Sequence, residues 1–201
     1  MAFVTPIIKK AEKYVKAFLR DNLERCICYH NATHTKEVVK ASEVIGKACG
    51  LNNEELEMVI LSAWFHDTGY YKGKEDHESV SADIAEEFLK NEGFPPEKVR
   101  QVKACIIATK IPQSPKNLLE EVLCDADLYH LATDKFFEKS ELLKNELCAI
   151  FPGFDSKNWM NVSCQFVQHH KYFTSFARKK LRPIKEANLR SLKTKINASK
   201  N

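Results

Sequence analysis

The chain has 201 residues, 44% of them hydrophobic, with six Gly, seven Pro and seven Cys. That length is enough to bury a full core in one domain. So little Gly and Pro argues against a loop-rich all-β protein, and no apolar run approaches the roughly 18 residues of a membrane span. The net charge of +4 is unevenly placed: residues 178–201 hold nine Lys/Arg and one Glu, a net of +8, which leaves −4 for the rest.

Met1 to Arg20 interrupts its apolar pattern with Lys and Glu, so no signal peptide is expected. Cys105, Cys124, Cys148 and Cys164 lie inside apolar segments and read as small buried hydrophobes. Cys26-Ile27-Cys28 lacks the second pair a zinc knuckle needs. Reduced thiols and a cytoplasmic protein follow, and the Asn-x-Ser/Thr triplets at Asn31, Asn161 and Asn197 are then chance matches.

Pro6 opens a helix with Ile7, Ile8, Ala11, Tyr14, Val15, Phe18 and Leu19 at helical spacing, ending near Arg20. A connector from Asn22 to Thr33 delivers His30. Thr33 is the expected cap of a helix to Cys49, with His34 in its first turn and Gly50 just past its end. Asn53 is expected to cap a helix from Glu54 to His66, whose early Glu54, Glu55 and Glu57 suit the helix dipole. A polar loop follows with Lys72 and Lys74. An amphipathic helix then runs from Ser79 to Asn91, and Pro95-Pro96 opens another from Glu97 to Thr109. Pro112 and Pro115 bracket a turn before a helix that starts at Lys116 or Asn117 and ends at Asp127. Further helical patterns cover about 134–149, 156–170 and 174–195. No stretch of period two and no internal repeat is present, so the class is all-α, a single bundle of seven to nine helices. Residues 1–177 read as the helical core, with the motif region at 29–130. Residues 178–201 read as a basic C-terminal helix or tail, mainly a solvated or frayed one, with a basic face for phosphorylated ligands as the second reading.

The stretch Ala63-Trp64-Phe65-His66-Asp67-Thr68-Gly69-Tyr70 ends an apolar run begun near Met58. Gly69 offers the helix a place to stop, so His66 and Asp67 sit where a buried helix reaches a cavity. A carboxylate buried beside an imidazole is costly without a partner, and the usual partner is an Arg, a Lys or a metal. For this pair alone, a metal site and a plain helix terminus both stand. Tyr29-His30-Asn31-Ala32-Thr33-His34-Thr35 upstream and Leu123-Cys124-Asp125-Ala126-Asp127-Leu128 downstream tip the balance. One metal takes three or four side chains converging from distant elements, with positions left for water. His34, His66, Asp67 and Asp127 form such a set.

The order His…His-Asp…Asp, with the last Asp in an Ala-Asp pair followed by Leu, resembles the HD-domain metal-dependent phosphohydrolases. The resemblance runs from about Tyr29 to Tyr129 and more loosely to Arg178. Within that superfamily the Tyr-His-Asn-x-x-His-Thr opening and the Cys-Asp-Ala-Asp-Leu element look like the small predicted metal-dependent HD phosphohydrolases. The resemblance implies an all-helical fold, a divalent metal and hydrolysis of a phosphoester.

Two His and two Asp suit one divalent ion, which Mn, Fe, Co, Ni, Zn or Mg would satisfy. Such an ion lowers the pKa of water and polarises a phosphoryl oxygen. Asp125 points to a different helical face and is the runner-up for the fourth ligand, or a residue that holds a His in place. Two-metal members of the superfamily generally add two more His between the His-Asp and the final Asp. Here that interval contains only His77, and Ala108-Thr109-Lys110 stands where another often falls, so a single metal is favoured. His77 and Glu78 are the candidates for acid/base or water-positioning work, and they also read as a helix start that suits the dipole. Phosphate needs cations. Lys110 joins the catalytic candidates, and Lys72 the substrate-binding ones. The segment from His169 to Thr174 resembles the subgroup's His-x-Tyr-Phe-Thr ending. His170, Thr174 and Arg178 are expected to share a helix face and meet phosphate. His30 either contacts substrate or orients His34, and His130 reads as a helix-surface residue.

Departures narrow the substrate. The (p)ppGpp hydrolases carry Glu-Asp shortly after their His-Asp, where this chain has Tyr70 and Tyr71. The His-rich extension of the dNTP triphosphohydrolases and the HD-Gly-Tyr-Pro signature of cyclic-di-GMP phosphodiesterases are absent. The expectation is a hydrolase that cleaves a phosphoester in a small nucleotide-like molecule with metal-activated water. Two rivals stand behind it: a di-iron HD-type oxygenase, disfavoured by the shortage of His, and a non-catalytic nucleotide-sensing module, disfavoured by the intact ligand set. The expected partner is a small phosphorylated substrate, with no membrane, nucleic acid disfavoured and a homodimer compatible.

Overall fold

The structure, a computed structural model, describes residues 2–72 and 75–198. Among the described residues are ten α-helices, three short 3-10 turns and no strand. The helices are α1 (Pro6–Asn22), α2 (Ala32–Ala48), α3 (Asn53–Phe65), α4 (His77–Asn91), α5 (Pro96–Ala108), α6 (Leu118–Asp127), α7 (Phe136–Ile150), α8 (Trp159–His169), α9 (Ser175–Lys180) and α10 (Arg182–Ala198). None of the described helices is long and apolar enough to cross a membrane.

Helix α3 is apolar on every side and buries Leu56 and each residue from Met58 to Phe65. A helix with that pattern needs neighbours all round, and α1, α2, α4, α5 and α6 supply them. Ile8, Ala11, Val15 and Leu19 of α1, Ala82, Ala85 and Leu89 of α4, and Val99, Val102 and Ile106 of α5 cover one side. Val38, Ala41 and Ile45 of α2 with Val122, Leu123 and Ala126 of α6 close over Val59 and Ala63 on the other. Each large aliphatic side chain so buried stabilises the fold by about 1.5–3 kcal/mol. The centre of the bundle therefore fixes where α3 ends, which is where His66 and Asp67 lie.

The helix starts differ from the sequence expectation by a residue or two. Asn31 rather than Thr33 caps α2: its backbone is extended and its side-chain oxygen accepts from the Thr33 and His34 N–H groups. Asn52 rather than Asn53 caps α3, in a capping box with Glu55. Helix α4 begins at His77 rather than Ser79, behind Asp76 at φ 56°.

Residues 174–195 do not form one helix. The chain breaks at Leu181, and Pro183 explains why: without an N–H it fits the first turn of α10 but not the interior of a longer helix. This division takes the count above seven to nine. The reading of a solvated tail is also corrected. Leu189, Leu192 and Ile196 of α10 pack on Leu128, Leu131, Phe136 and Val167, and Lys185 is buried with its ammonium donating to the His170 carbonyl. Of the cysteines expected inside the core, Cys105 and Cys124 are buried, whereas Cys148 is exposed and Cys164 half-buried.

Candidate metal centre

The first turn of α2, the residues just after α3 and the last turn of α6 meet at one point. Asn31 caps α2 so that His34, two residues into the helix, turns inward. Cluster residues His34, His66 and Asp67 are all buried. The His34 Nε2 atom lies 3.3 Å from Asp67 Oδ2 and 3.2 Å from Asp127 Oδ1. His66 Nε2 lies 3.0 Å and 3.6 Å from the same two oxygens. The two Nε2 atoms are 3.4 Å apart.

These separations suit a shared cation. Ligand atoms held about 2.0–2.2 Å from one ion sit about 3.0–3.5 Å from each other. Two further observations point the same way. His66 Nδ1 lies 2.9 Å from the Ala63 carbonyl, which can only accept, so Nδ1 carries the proton and the Nε2 lone pair faces the cluster. With Nε2 unprotonated in both rings the fully buried Asp67 Oδ2 accepts no hydrogen bond, a costly state for an anionic oxygen unless a metal or an imidazolium stands beside it. His34, His66 and Asp127 also form the one group of three or more metal-ligating side chains with ligand atoms within 4.8 Å of one another among the described residues.

The electrostatics agree. Burial favours neutral imidazoles, but the Asp127 and Asp67 carboxylates overcome it and raise the His34 pKa. For His66 burial is likewise outweighed, first by Asp67, and its pKa stands well above the ordinary value. Burial would raise both carboxylates, yet the imidazoles hold Asp67 and Asp127 well below the usual range. The cluster thus asks for positive charge, and a divalent ion supplies it without the protons.

A cavity of about 320 Å³ opens on His34 and Asp127. Val38, Ala41 and Val44 of α2 form an apolar wall, and Lys40, Lys135 and Lys139 bring three cations to the space. Lys139 is buried, with its ammonium 2.5 Å from Glu37 Oε2.

A comparison with protein-family profiles matches the HD domain over residues 31–132, a span that holds all four clustered residues. The chain belongs to the HD-domain family. A solved structure with the same fold is a predicted HD superfamily hydrolase from an uncultured Thermotogales bacterium. It is 19% identical with a TM-score of 0.57, covering 81% of this chain and 90% of that chain. No curated protein matches the sequence.

In this HD-domain protein the two Asp candidates of α6 separate by helix geometry. Two residues apart, they face different sides, and Asp127 rather than Asp125 reaches the histidines. Asp125 is fully buried, and its carboxylate accepts the Phe173 and Thr174 N–H groups, each at 2.8 Å. It ties down the chain entering α9 and holds no His.

The late cluster is corrected for a related reason. Residues 170–173 are not helical, so His170, Thr174 and Arg178 share no helix face. The buried Thr174 caps α9, its hydroxyl accepting from Ala177 N–H at 3.1 Å. The Arg178 guanidinium donates to the Phe173 carbonyl. Between Phe166 and Tyr172, the His170 ring lines a separate cavity of about 590 Å³ with Ile111, Pro112 and Phe173. None of the three hydrogen-bonds to the four-residue cluster.

Other candidates lie close to the cluster. His77 Nε2 is 3.6 Å from Asp67 Oδ1 and 3.5 Å from Glu78 Oε1, and Glu78 is buried. The start of α4 reaches this place because of Gly69. That residue sits in a 3-10 turn after α3 and does not end the helix. Its N–H donates to Ser81 Oγ at 2.8 Å, and a Cβ there would lie 2.1 Å from the His77 carbonyl oxygen. Glycine is needed for this close approach and not for an unusual φ. Exposed Lys110 pairs with Asp76 at 2.8 Å, beside the start of α4. The Lys72 side chain and Lys74 lie outside the described residues.

His30 has a definite setting. Its ring stacks on Tyr70 with centroids 3.8 Å apart, and its Nδ1 bonds to Glu146 Oε1. Glu146, fully buried, also accepts the Tyr29 and His30 N–H groups at 2.7 and 3.0 Å. Burial would raise the Glu146 carboxyl, but these donors hold it below the ordinary value. His130, read from sequence as a surface residue, is half-buried with Nδ1 3.0 Å from the Tyr29 hydroxyl, and burial pushes it down to about 3. Sequence reasoning missed Glu37, Lys139 and Glu146. A signal existed for the last two: Lys139 and Glu146 fall on the same buried stripe of α7 as Phe136 and Leu147. Charged residues on an apolar stripe call for a partner.

Proposed function

We propose that this HD-domain protein is a metal-dependent phosphohydrolase that cleaves a phosphoester bond in a small, nucleotide-sized substrate. The observation that carries the reading is the convergence of His34, His66 and Asp127 on the buried Asp67 Oδ2, with His34 and Asp127 lining a cavity that three lysines also reach.

His34, His66, Asp67 and Asp127 would hold one divalent ion, which supplies Lewis-acid polarisation of a phosphoryl oxygen and acidifies water. The chain's own residues do the rest. The Ala63 carbonyl fixes the His66 tautomer. Val38, Ala41 and Val44 of α2 give the cavity one apolar wall beside its charged groups. His77 Nε2 faces Asp67 Oδ1 and Glu78 Oε1, the position from which an imidazole can take a proton from water or return one to a leaving oxygen. His30, locked by Glu146 and Tyr70, presents a fixed ring beside His34. A cavity of about 320 Å³ is of the size that takes a small molecule.

The test is metal content of protein purified without added metal, followed by turnover of an aryl phosphate and a panel of cyclic nucleotides with Mn²⁺, Co²⁺, Ni²⁺ and Mg²⁺. About one equivalent of metal is expected, with both metal and turnover lost in Asp67→Ala. Absence of metal would overturn the site, and two equivalents of iron without hydrolysis would favour an oxygenase.

A further inference from the structure

Lys139 is an ammonium on the buried stripe of α7, which also carries the Glu146 carboxylate. Its neighbours on the buried stripe include Phe136 and Leu147, and only 6% of its surface is exposed. Its carboxylate partner is Glu37 of α2, whose side chain is 38% exposed and stands at the cavity edge. As a stabilising device this pair is poor. Burying an ammonium for one partly solvated carboxylate gains little over a well-packed apolar residue. The cation nevertheless lines the same cavity as His34 and Asp127.

We propose that Lys139 is the phosphate-binding cation of the site, and that Glu37 is an internal carboxylate which the substrate's phosphate displaces from it. The inference rests on the phosphohydrolase reading and narrows its substrate to a phosphomonoester. An ammonium already paired with a carboxylate gives that partner up to a stronger anion. A monoester carries about −1.5 to −2 charges at pH 7 and three acceptor oxygens, against a single charge on a diester. A lysine suits this exchange because its three donors sit on a flexible stem and bind phosphate as a point charge. Glu37, on the solvent side of the pair, has water to move into. Lys40 and Lys135, both exposed on the same cavity, outnumber the exposed Asp134 there and leave its rim net attractive to an anion.

Binding of inorganic phosphate to the metal-loaded full chain, followed by titration calorimetry, tests this without depending on turnover. Glu37→Gln leaves the ammonium without a competing anion and should tighten phosphate about tenfold, while Lys139→Met should weaken it by a similar factor. Lys139→Arg keeps the cation but pairs more firmly with Glu37 through its planar fork, and should bind phosphate more weakly than the parent and more tightly than Lys139→Met. Adenosine 3′,5′-cyclic monophosphate, a singly charged diester, should gain less than phosphate from Glu37→Gln. If Glu37→Gln binds phosphate no more tightly than the parent, the pair merely ties α2 to α7 and the proposal is overturned. Should Lys139→Met fail to fold, the Glu37→Gln and Lys139→Arg measurements decide alone. The expected phosphate pattern in a protein that hydrolyses no phosphoester would keep the anion site and remove the hydrolase reading.

Discussion

Gly69 shows how much of the site hangs on one missing side chain. A Cβ at this position would stand 2.1 Å from the His77 carbonyl oxygen and 2.9 Å from Ser81 N. Both are backbone atoms of α4, so the helix itself would have to move. Overpacking of this kind destabilises by about 1–3 kcal/mol, and Gly69→Ala should lower Tm by roughly 3–10 °C in a thermal melt. The same shift carries His77 away from Asp67, so turnover should fall further than metal content does. An unchanged Tm would show that α4 yields without strain. The clustered imidazoles lead to a second expectation. Burial opposes protonation of His34 and His66, yet the adjacent carboxylates win and raise both pKa values. A metal must displace those protons, so affinity should rise with pH, by about tenfold per unit for each proton released. Mn²⁺ titrations at pH 6 and pH 8 measure this directly, and equal affinities would mean that neither imidazole binds the ion.

At the scale of elements, what the sequence made legible was local. The apolar periodicity of α1, the all-round apolar character of α3 and the Pro and Asn signals at helix starts could each be read from a few neighbouring residues. Boundaries moved where two candidates stood side by side, as with Asn52 and Asn53, because only the folded backbone decides which is extended. The convergence of His34, His66, Asp67 and Asp127 was also legible, since each of these residues closes or opens an apolar segment. Glu146 bonding to Tyr29 and His30 across more than a hundred residues was not, because no local pattern encodes such a contact. Asp125 and Asp127 fall between these cases: spacing says they face apart, and only packing says which faces the histidines. That division can be tested. Asp125→Ala would strand the buried Thr174 N–H and the half-buried Phe173 N–H, at about 1–3 kcal/mol for the buried one. It should therefore lower Tm while the purified protein keeps its metal. Asp127→Ala should lose the metal, and because it takes one of two carboxylates from the buried His34 and His66 its Tm should fall as well. Metal loss in the Asp125 variant with an unaltered Tm would exchange the two roles.

For the molecule as a whole, the basic C-terminal segment is part of the packed structure and not an appendage. Leu192 and Ile196 of α10 are buried and, with Leu189, cover Leu128, Leu131, Phe136 and Val167. At about 1.5–3 kcal/mol for each fully buried large aliphatic side chain, Leu192 and Ile196 alone supply a sizeable part of the 5–15 kcal/mol that separates most native domains from the unfolded chain. Apart from the buried Lys185, the positive charge of α10 lies on its outer face because its inner face is already committed to this packing. The residues it covers also matter to the site, since Leu128 follows Asp127 directly and Phe136 opens α7, two turns that border the cavity. Leu192→Ala should then destabilise by about 2–5 kcal/mol and loosen the Asp127 end of α6. The measurement is a urea melt read beside metal affinity in the same variant. A melt midpoint that falls while metal affinity also weakens ties the C-terminal helix to the metal centre. A full loss of stability with unchanged affinity would show that α10 supports the fold without reaching the site.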